Sequence, residues 1–113
     1  MDSFQRQSLL KDKIRTGQPV LGIFIRTPSM HVVEVLATIN LDCIVLDAEH
    51  APFSVDSLDQ CLMAARAAGI PGLVRLADAA PGEILHVLDM GAAGVIIPHI
   101  KSAIFATGTY AKK

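Results

Sequence analysis

Three ionisable side chains follow directly after a short apolar run in the middle of the chain. The run 43–46 contains no polar residue, and Asp47, Glu49 and His50 come immediately after it. Continuous apolar runs of this length are typical of strands that are covered on both faces in a parallel sheet. Catalytic residues gather beyond the carboxyl ends of such strands. The segment is therefore the first candidate for a site of acid–base chemistry.

His50 is the natural general base of this segment, because imidazole titrates near neutral pH without any perturbation. The alternative is a loop histidine that only caps a neighbouring group. Asp47 and Glu49 are two positions apart, so in extended backbone they share one side, while His50 faces the other way unless the loop turns. Solvation at the end of a strand is the simpler explanation for the two carboxylates.

Arg75 is a second outlier, because it interrupts the apolar run 72–76. A guanidinium keeps its charge, and burying it unpaired is costly, so it must meet an anion. That anion is either Asp47 or Glu49, in a purely structural ion pair, or a substrate carboxylate that is held bidentately. The spacing of the residues does not decide between these alternatives.

Two further residues stand at the ends of predicted elements. Asp89 falls in the last turn of a predicted helix, where a negative charge opposes the helix macrodipole. This placement suggests a specific partner for Asp89, and an exposed aspartate without a function is the alternative. His99 follows a predicted strand and would lie on the same rim as His50.

The surrounding sequence predicts an α/β fold in which strands and helices alternate. The opening helix is expected over 3–16, with Ser3 as its N-cap and Gly17 as its end. The predicted strands are 20–25, 43–46, 71–76 and 93–98, and the predicted helices between them are 29–39, 54–69 and 81–91. This alternation is typical of βα units that feed a parallel sheet with right-handed crossovers, as in the wall of a barrel.

Composition excludes several classes of protein. The chain has 113 residues, 51% apolar residues and 19% charged residues, which is typical of one globular domain. Ten basic residues against eleven acidic ones give no positive field, so nucleic acid is not an expected partner. No apolar stretch is long enough for a membrane span, and the N-terminus lacks a secretory signal, so we expect a cytoplasmic protein.

Four segments together resemble the N-terminal half of the HpcH/HpaI aldolase family, which comprises class II, metal-dependent pyruvate aldolases. These segments are 21–24, 45–52, 74–76 and 88–98, within a match from about residue 5 to residue 102. The resemblance implies about four βα units of a TIM (β/α)₈ barrel behind an N-terminal helix. It also implies one truncated domain over 1–113, with an irregular tail over 103–113, because a complete barrel takes about 250 residues.

The resemblance implies retro-aldol cleavage of a 4-hydroxy-2-oxo acid to pyruvate and an aldehyde. His50 matches the family's base, which works with a metal-bound water, and Asp89 matches the carboxylate that orients this histidine. Arg75 matches the arginine that binds the pyruvyl portion and stabilises developing charge. Asp47 and Glu49 match acidic positions near the substrate. A divalent metal (Mg²⁺, Mn²⁺ or Co²⁺) would polarise the 2-oxo group.

The family holds this metal with a glutamate and an aspartate from later strands, so we expect no metal ligand in this chain. We therefore expect the chain alone to be inactive or incomplete as an aldolase. The alternative is a non-catalytic remnant or a half-barrel whose open sheet edges pair with another copy, which makes a homo-oligomer the expected assembly. A citrate-lyase-like activity on an acyl-CoA thioester is a further alternative, although no basic patch is available for the CoA phosphates.

Overall fold

The computed structural model describes residues 2–98 and contains four strands, each preceded by a helix. In chain order the elements are α1 (Ser3–Arg15), β1 (Gly22–Ile25), α2 (Met30–Leu36), β2 (Cys43–Asp47), α3 (Val55–Ala68), β3 (Gly72–Arg75), α4 (Pro81–Asp89) and β4 (Gly94–Ile96). The predicted positions of His99 and of the tail 103–113 lie outside the described residues. None of the helices within 2–98 has the length and apolar content that crossing a membrane requires.

The four strands form one parallel sheet in the order β1-β2-β3-β4. The sheet confirms the α/β class and the alternating βα units that the sequence predicts. Since every strand runs in the same direction, all the strand-to-helix loops leave from one end of the sheet. In the described part of the chain, β1 and β4 each pair with a neighbour on one side only.

The two faces of the sheet have different surroundings. Alternate strand residues pack with the helices in the hydrophobic core, including Ile25, Ile44, Leu46 and Val74, which are nearly or fully buried. The intervening residues face the other side, because successive side chains of a strand alternate. That second face carries Phe24, Val45, Asp47, Leu73 and Arg75. The helices thus cover one face, and the charged residues at the strand ends belong to the other.

Local capping chemistry fixes the helix boundaries. Ser54 caps α3, whose C-cap Gly69 has a φ of 78°, and Pro81 begins α4, as the sequence predicts. The prediction that Ser3 caps α1 is wrong, because Asp2 forms a reciprocal capping box with Gln5.

Other boundaries also differ from the predicted ones, among them the end of α2 and the start of β1. The segment after Leu36 tightens into short turns, in which the Thr38 and Ile39 amides bond carbonyls three residues earlier, so α2 ends before residue 39. The first strand begins at Gly22 rather than at residue 20. Neither shift moves the strand ends that carry the charged residues.

We predict that Gly91→Ala destabilises the protein by about 1–2 kcal/mol, because a side chain disfavours the left-handed region. Gly91 has a φ of 101°, and a β carbon there would overlap the Arg66 guanidinium, which donates a 2.6 Å hydrogen bond to the Met90 carbonyl. Gly82→Ala is the matched control, because Gly82 lies in α4 with open space around it. Urea denaturation should show Gly82→Ala to be neutral or stabilising by up to about 1 kcal/mol. Equal stabilities of the two variants would contradict this account.

Candidate active site

Asp47, the last residue of β2, organises the carboxyl end of the sheet. Its side chain is fully buried, and its Oδ1 accepts hydrogen bonds from the backbone amides of Glu49 (3.2 Å) and His50 (3.0 Å). These two bonds turn the loop sharply after the strand. The turn brings the imidazole back towards Asp47, so that His50 Nδ1 lies 3.2 Å from Asp47 Oδ2. The loop therefore turns enough to place the His50 imidazole beside Asp47, although extended backbone would point it the other way.

Arg75 reaches the same carboxylate from the neighbouring strand. The parallel register pairs Asp47 with Arg75, and the guanidinium binds the carboxylate through two nitrogens, with Nε 3.2 Å from Oδ1 and Nη2 2.7 Å from Oδ2. Its Nε also lies 3.8 Å from Glu49 Oε1. The carbon at the centre of the guanidinium lies 4.3 Å from the centre of the Phe24 ring, a cation–π contact. The sequence left the anion for Arg75 open, and in the structure that anion is Asp47, with Glu49 nearby.

These contacts keep Asp47 ionised. The Arg75 guanidinium holds the pKa of Asp47 well below its usual range, against the effect of burial, and the His50 backbone and ring bonds lower that pKa further. The same pair raises the pKa of Arg75. A buried carboxylate that accepts this many N–H groups has no remaining surface for a substrate. The geometry thus favours a positioning role for Asp47 over the substrate-binding role expected from the sequence.

An ionised Asp47 also fixes the protonation pattern of His50. A carboxylate only accepts hydrogen bonds, so the proton of the neutral imidazole must lie on Nδ1 and the lone pair on Nε2. The side chain of His50 is 49% exposed, and its Nε2 lies 3.8 Å from Glu49 Oε1. His50 thus offers an accessible nitrogen that can take a proton, while Asp47 stabilises the imidazolium that results.

Arg26 also belongs to this cluster, although the sequence analysis did not select it as a candidate site residue. Its Nε lies 3.2 Å from Asp47 Oδ2, and its side chain is 66% exposed. The available signal was positional: Arg26 directly follows β1, as Asp47 and Arg75 end β2 and β3. A charge at three neighbouring strand ends marks one edge of a parallel sheet.

Asp89 lies at the other end of the sheet. It is exposed and is the last residue of α4, and the chain then returns to the beginning of β3, where the Ala93 amide donates a 2.8 Å hydrogen bond to the Gly72 carbonyl. His50, in contrast, follows the carboxyl end of β2. The expectation that Asp89 shares a rim with His50 is not met within one chain, because a crossover helix runs antiparallel to the strands. Asp47 holds His50 Nδ1 instead.

The clustered side chains do not form a metal centre by themselves. Within residues 2–98, no group of three histidine, cysteine, aspartate or glutamate side chains is placed to hold a metal ion. Both oxygens of Asp47 already accept N–H groups from the protein. The described residues therefore do not fit the divalent metal that the family resemblance implies.

Four parallel βα units in one sheet, with charged side chains at the strand ends, have the architecture of one segment of a (β/α)₈ barrel. The model of the HpcH/HpaI aldolase/citrate lyase family matches residues 20–109. The chain therefore belongs to this family.

Curated relatives of the chain are aldolases. A 2-keto-3-deoxy-L-rhamnonate aldolase of Salmonella gallinarum is 30% identical over 93 residues, which cover 82% of this chain and 35% of that protein. A hydroxypyruvate/pyruvate aldolase of Rhizorhabdus wittichii is 30% identical over 95 residues, covering 80% of this chain and 38% of that protein. The chain thus spans little more than a third of the length of these relatives.

Solved structures show the same fold over the same share of the barrel. The citrate synthase SbnG superposes with a TM-score of 0.80 at 36% identity, covering 88% of this chain and 41% of that one. An HpcH/HpaI aldolase from Desulfitobacterium hafniense gives a TM-score of 0.79 at 30% identity, covering 88% and 39%. The described sheet and helices therefore correspond to four βα units of the barrel.

We predict that Asp47→Asn lowers the free energy of unfolding by about 3 kcal/mol at pH 7, the usual effect of removing one partner of a buried ion pair. Because folding lowers the pKa of Asp47, its charge stabilises the fold fully above the unfolded pKa of about 3.9, and this contribution is lost as the pH falls through the folded value. The difference between the wild type and Asp47→Asn should therefore narrow below about pH 4.

Urea denaturation at a series of pH values measures this difference. Asp12→Asn is the control, because Asp12 forms an exposed ion pair with Arg15, and its effect should stay within about 1 kcal/mol. A difference for Asp47→Asn that is independent of pH would contradict the assignment of Asp47 as a buried, ionised anchor.

Proposed function

We propose that this cluster supplies the base and the oxo-acid-binding cation of a carbon–carbon lyase of the aldolase type. The reaction is retro-aldol cleavage of a 4-hydroxy-2-oxo acid to pyruvate and an aldehyde. The observation that carries the proposal is the shared anchor: Asp47 holds both the imidazole of His50 and the guanidinium of Arg75. Aldolase relatives with names that refer to oxo acids support the same reaction class.

His50 is the proposed base. Its Nε2 removes the proton of the C4 hydroxyl, the C3–C4 bond breaks, and the electron pair of that bond passes to C3 to give the enolate of pyruvate and the free aldehyde. The proton taken up by the imidazole then returns to C3, which restores neutral His50 and completes pyruvate. Asp47 keeps Nε2 available in the first step and stabilises the imidazolium between the two steps.

Arg75 is the proposed cation for the oxo-acid end of the substrate. Two of its nitrogens are occupied by Asp47, and its side chain remains 23% exposed. A fixed guanidinium beside the substrate carboxylate and 2-oxo group stabilises negative charge as it develops on the enolate. Glu49 Oε1 lies 3.8 Å from both Arg75 Nε and His50 Nε2. Glu49 is therefore proposed to contact the substrate hydroxyl. A divalent metal remains an implication of the family resemblance.

Asp89 can orient His50 only across an interface between copies of the chain. In one chain the two residues lie at opposite ends of the sheet, beyond the amino and carboxyl ends of the strands. We therefore retain the proposed role of Asp89 only together with the proposed homo-oligomer. In that assembly, the end of one copy that carries Asp89 meets the end of another copy that carries His50. Within one copy, Asp47 already performs the orienting function.

Self-association of the half-barrel is the second candidate function, and the edge strand β1 favours it. Ile23 and Phe24 of β1 are 39% and 47% exposed, although both are large apolar residues. Parallel pairing of β1 with the edge of β4 that is unpaired within residues 2–98, in another copy, would continue the sheet and cover these side chains. This candidate does not exclude the lyase, because the charged cluster lies at the strand ends and not along the edges.

We predict that His50→Asn lowers kcat for pyruvate release by about 10²–10⁴-fold, the usual contribution of a general base. Arg75→Lys should raise KM as well as lower kcat, because it removes the fork that binds the oxo acid. The assay follows pyruvate released from a 4-hydroxy-2-oxo acid in the presence of Mg²⁺ or Mn²⁺. His31→Asn, on the exposed surface of α2, is the control and should leave both constants unchanged. Absent turnover in the wild type would reject catalysis by this chain on its own, and full activity of His50→Asn would reject His50 as the base.

We predict that Ile23→Lys shifts the chain towards the monomer, because a charge on an edge strand opposes pairing with another sheet. Light scattering coupled to size-exclusion chromatography measures the molar mass. Val55→Lys is the control, since Val55 is 55% exposed at the start of α3 and lies on no sheet edge. A monomeric wild type, or an oligomer that Ile23→Lys leaves intact, would count against edge pairing.

A further inference from the structure

Arg26 extends a row of charged side chains across three strands. In the parallel register Ile25 pairs with Leu46, and Asp47 pairs with Arg75. The next position after Ile25 is Arg26, which stands beside Asp47 on one side, as Arg75 does on the other. The carboxyl ends of β1, β2 and β3 thus carry a guanidinium, a carboxylate and a second guanidinium in sequence.

The two guanidinium groups are held differently. Arg75 binds Asp47 through Nε and Nη2, and its side chain is 23% exposed. Arg26 binds Asp47 through Nε alone, at 3.2 Å, and its side chain is 66% exposed. Within residues 2–98, the terminal nitrogens of Arg26 donate no hydrogen bond. Asp47 therefore holds Nε of the Arg26 guanidinium and leaves its two terminal nitrogens accessible.

Both arginines approach one oxygen atom of Asp47. Arg26 Nε lies 3.2 Å from Oδ2, and Arg75 Nη2 lies 2.7 Å from the same atom. These two nitrogens therefore cannot be farther apart than the sum of the two distances. Two positive groups this close repel each other, and of the two carboxylates at this edge Glu49 approaches Arg75, at 3.8 Å, so Arg26 shares Asp47 with Arg75. A further anion beside Arg26 would relieve this repulsion, and a carboxylate matches the geometry of the guanidinium fork.

We propose that Arg26 binds a second carboxylate of the substrate, at the end distant from the 2-oxo group, and thereby selects dicarboxylic over monocarboxylic oxo acids. The inference rests on the proposed function, in which Arg75 binds the oxo-acid end. In the cleavage direction, the carboxylate bound by Arg26 leaves with the aldehyde. The short separation of the two guanidinium groups lets one small molecule contact both.

A purely structural role for Arg26 has a different signature. If Arg26 only helped to neutralise Asp47, its removal would lower stability and would change the binding of every oxo acid to the same degree. If Arg26 binds the distant carboxylate, its removal weakens only ligands that carry this group. The comparison of two ligands that differ in that group alone separates the two roles.

The experiment titrates the ¹⁵N-labelled 113-residue chain with 2-oxoglutarate and with 2-oxopentanoate, and amide chemical shifts report the dissociation constants. Both ligands are five-carbon 2-oxo acids, and they differ only in a terminal carboxylate or methyl group. The variants are Arg26→Gln, Arg26→Lys and Arg75→Lys. Arg15→Gln is the matched control, because Arg15 is also an exposed arginine that pairs with an aspartate. The spectrum of each variant reports whether it is folded.

We expect the wild type to bind 2-oxoglutarate at least about tenfold more tightly than 2-oxopentanoate, the size of one charge-assisted hydrogen bond. Arg26→Gln should abolish this preference and leave the affinity for 2-oxopentanoate unchanged, with Arg26→Lys intermediate and Arg15→Gln like the wild type. Equal effects of Arg26→Gln on both ligands, or no effect, would overturn the inference.

The Arg75→Lys arm distinguishes failure of this inference from failure of the proposed function. If the wild type binds both ligands equally and Arg75→Lys weakens both, the role of Arg26 is refuted and the oxo-acid site stands. If the wild type binds neither ligand, both proposals are overturned.

Discussion

The burial of one ionised carboxylate determines the arrangement of the whole rim. Moving an unpaired carboxylate out of water costs several kcal/mol even after the protein relaxes, so Asp47 has to be matched by donors on every side. The structure meets this requirement with two backbone amides from the following loop, one imidazole and two guanidinium groups. Arg75 supplies two of these contacts, including the shortest, so its removal would leave most of the charge uncompensated.

This requirement links the chemistry to the topology of the sheet. The donors of Asp47 come from its own loop and from the two neighbouring strands, and they meet because parallel strands place their carboxyl ends at one edge. An antiparallel neighbour would bring its amino end to this edge instead. The helices contribute indirectly: their packing on Ile44, Leu46 and Val74 fixes the face of each strand, and therefore the face on which Asp47 and Arg75 stand.

Much of this arrangement could be predicted from the sequence. Apolar runs and caps located the strands and the helix starts, because Ser54 and Pro81 act through neighbours a few residues away. The partner of Arg75 remained open, since it depends on which strands are adjacent and in which register. Arg26 was missed for the same reason: an arginine directly after a strand carries no local sign that a carboxylate 21 positions later lies 3.2 Å away.

Asp89 is a different case, since the topology of the sheet excludes it from the rim of its own chain. A helix that connects two parallel strands begins at their carboxyl ends and ends at their amino ends, so the last residue of α4 had to lie far from the loop after β2. The family resemblance implies that Asp89 orients His50, but a sequence motif does not indicate whether the same chain or another copy supplies the residue.

The contacts of Asp47 are divided unevenly between the residues proposed for catalysis and the residue proposed for substrate selectivity. Asp47 holds the base and Arg75 through several short contacts, whereas Arg26 adds one longer contact and is mostly exposed. A change at Arg26 therefore disturbs the anchor least, and a change at Arg75 or Asp47 disturbs it most. Since all three residues lie on β1, β2 and β3 or directly after them, this balance is set by three adjacent strands. Under the proposed function, a change at the exposed Arg26 would alter which substrate end is bound while the contact between Asp47 and His50 stays in place.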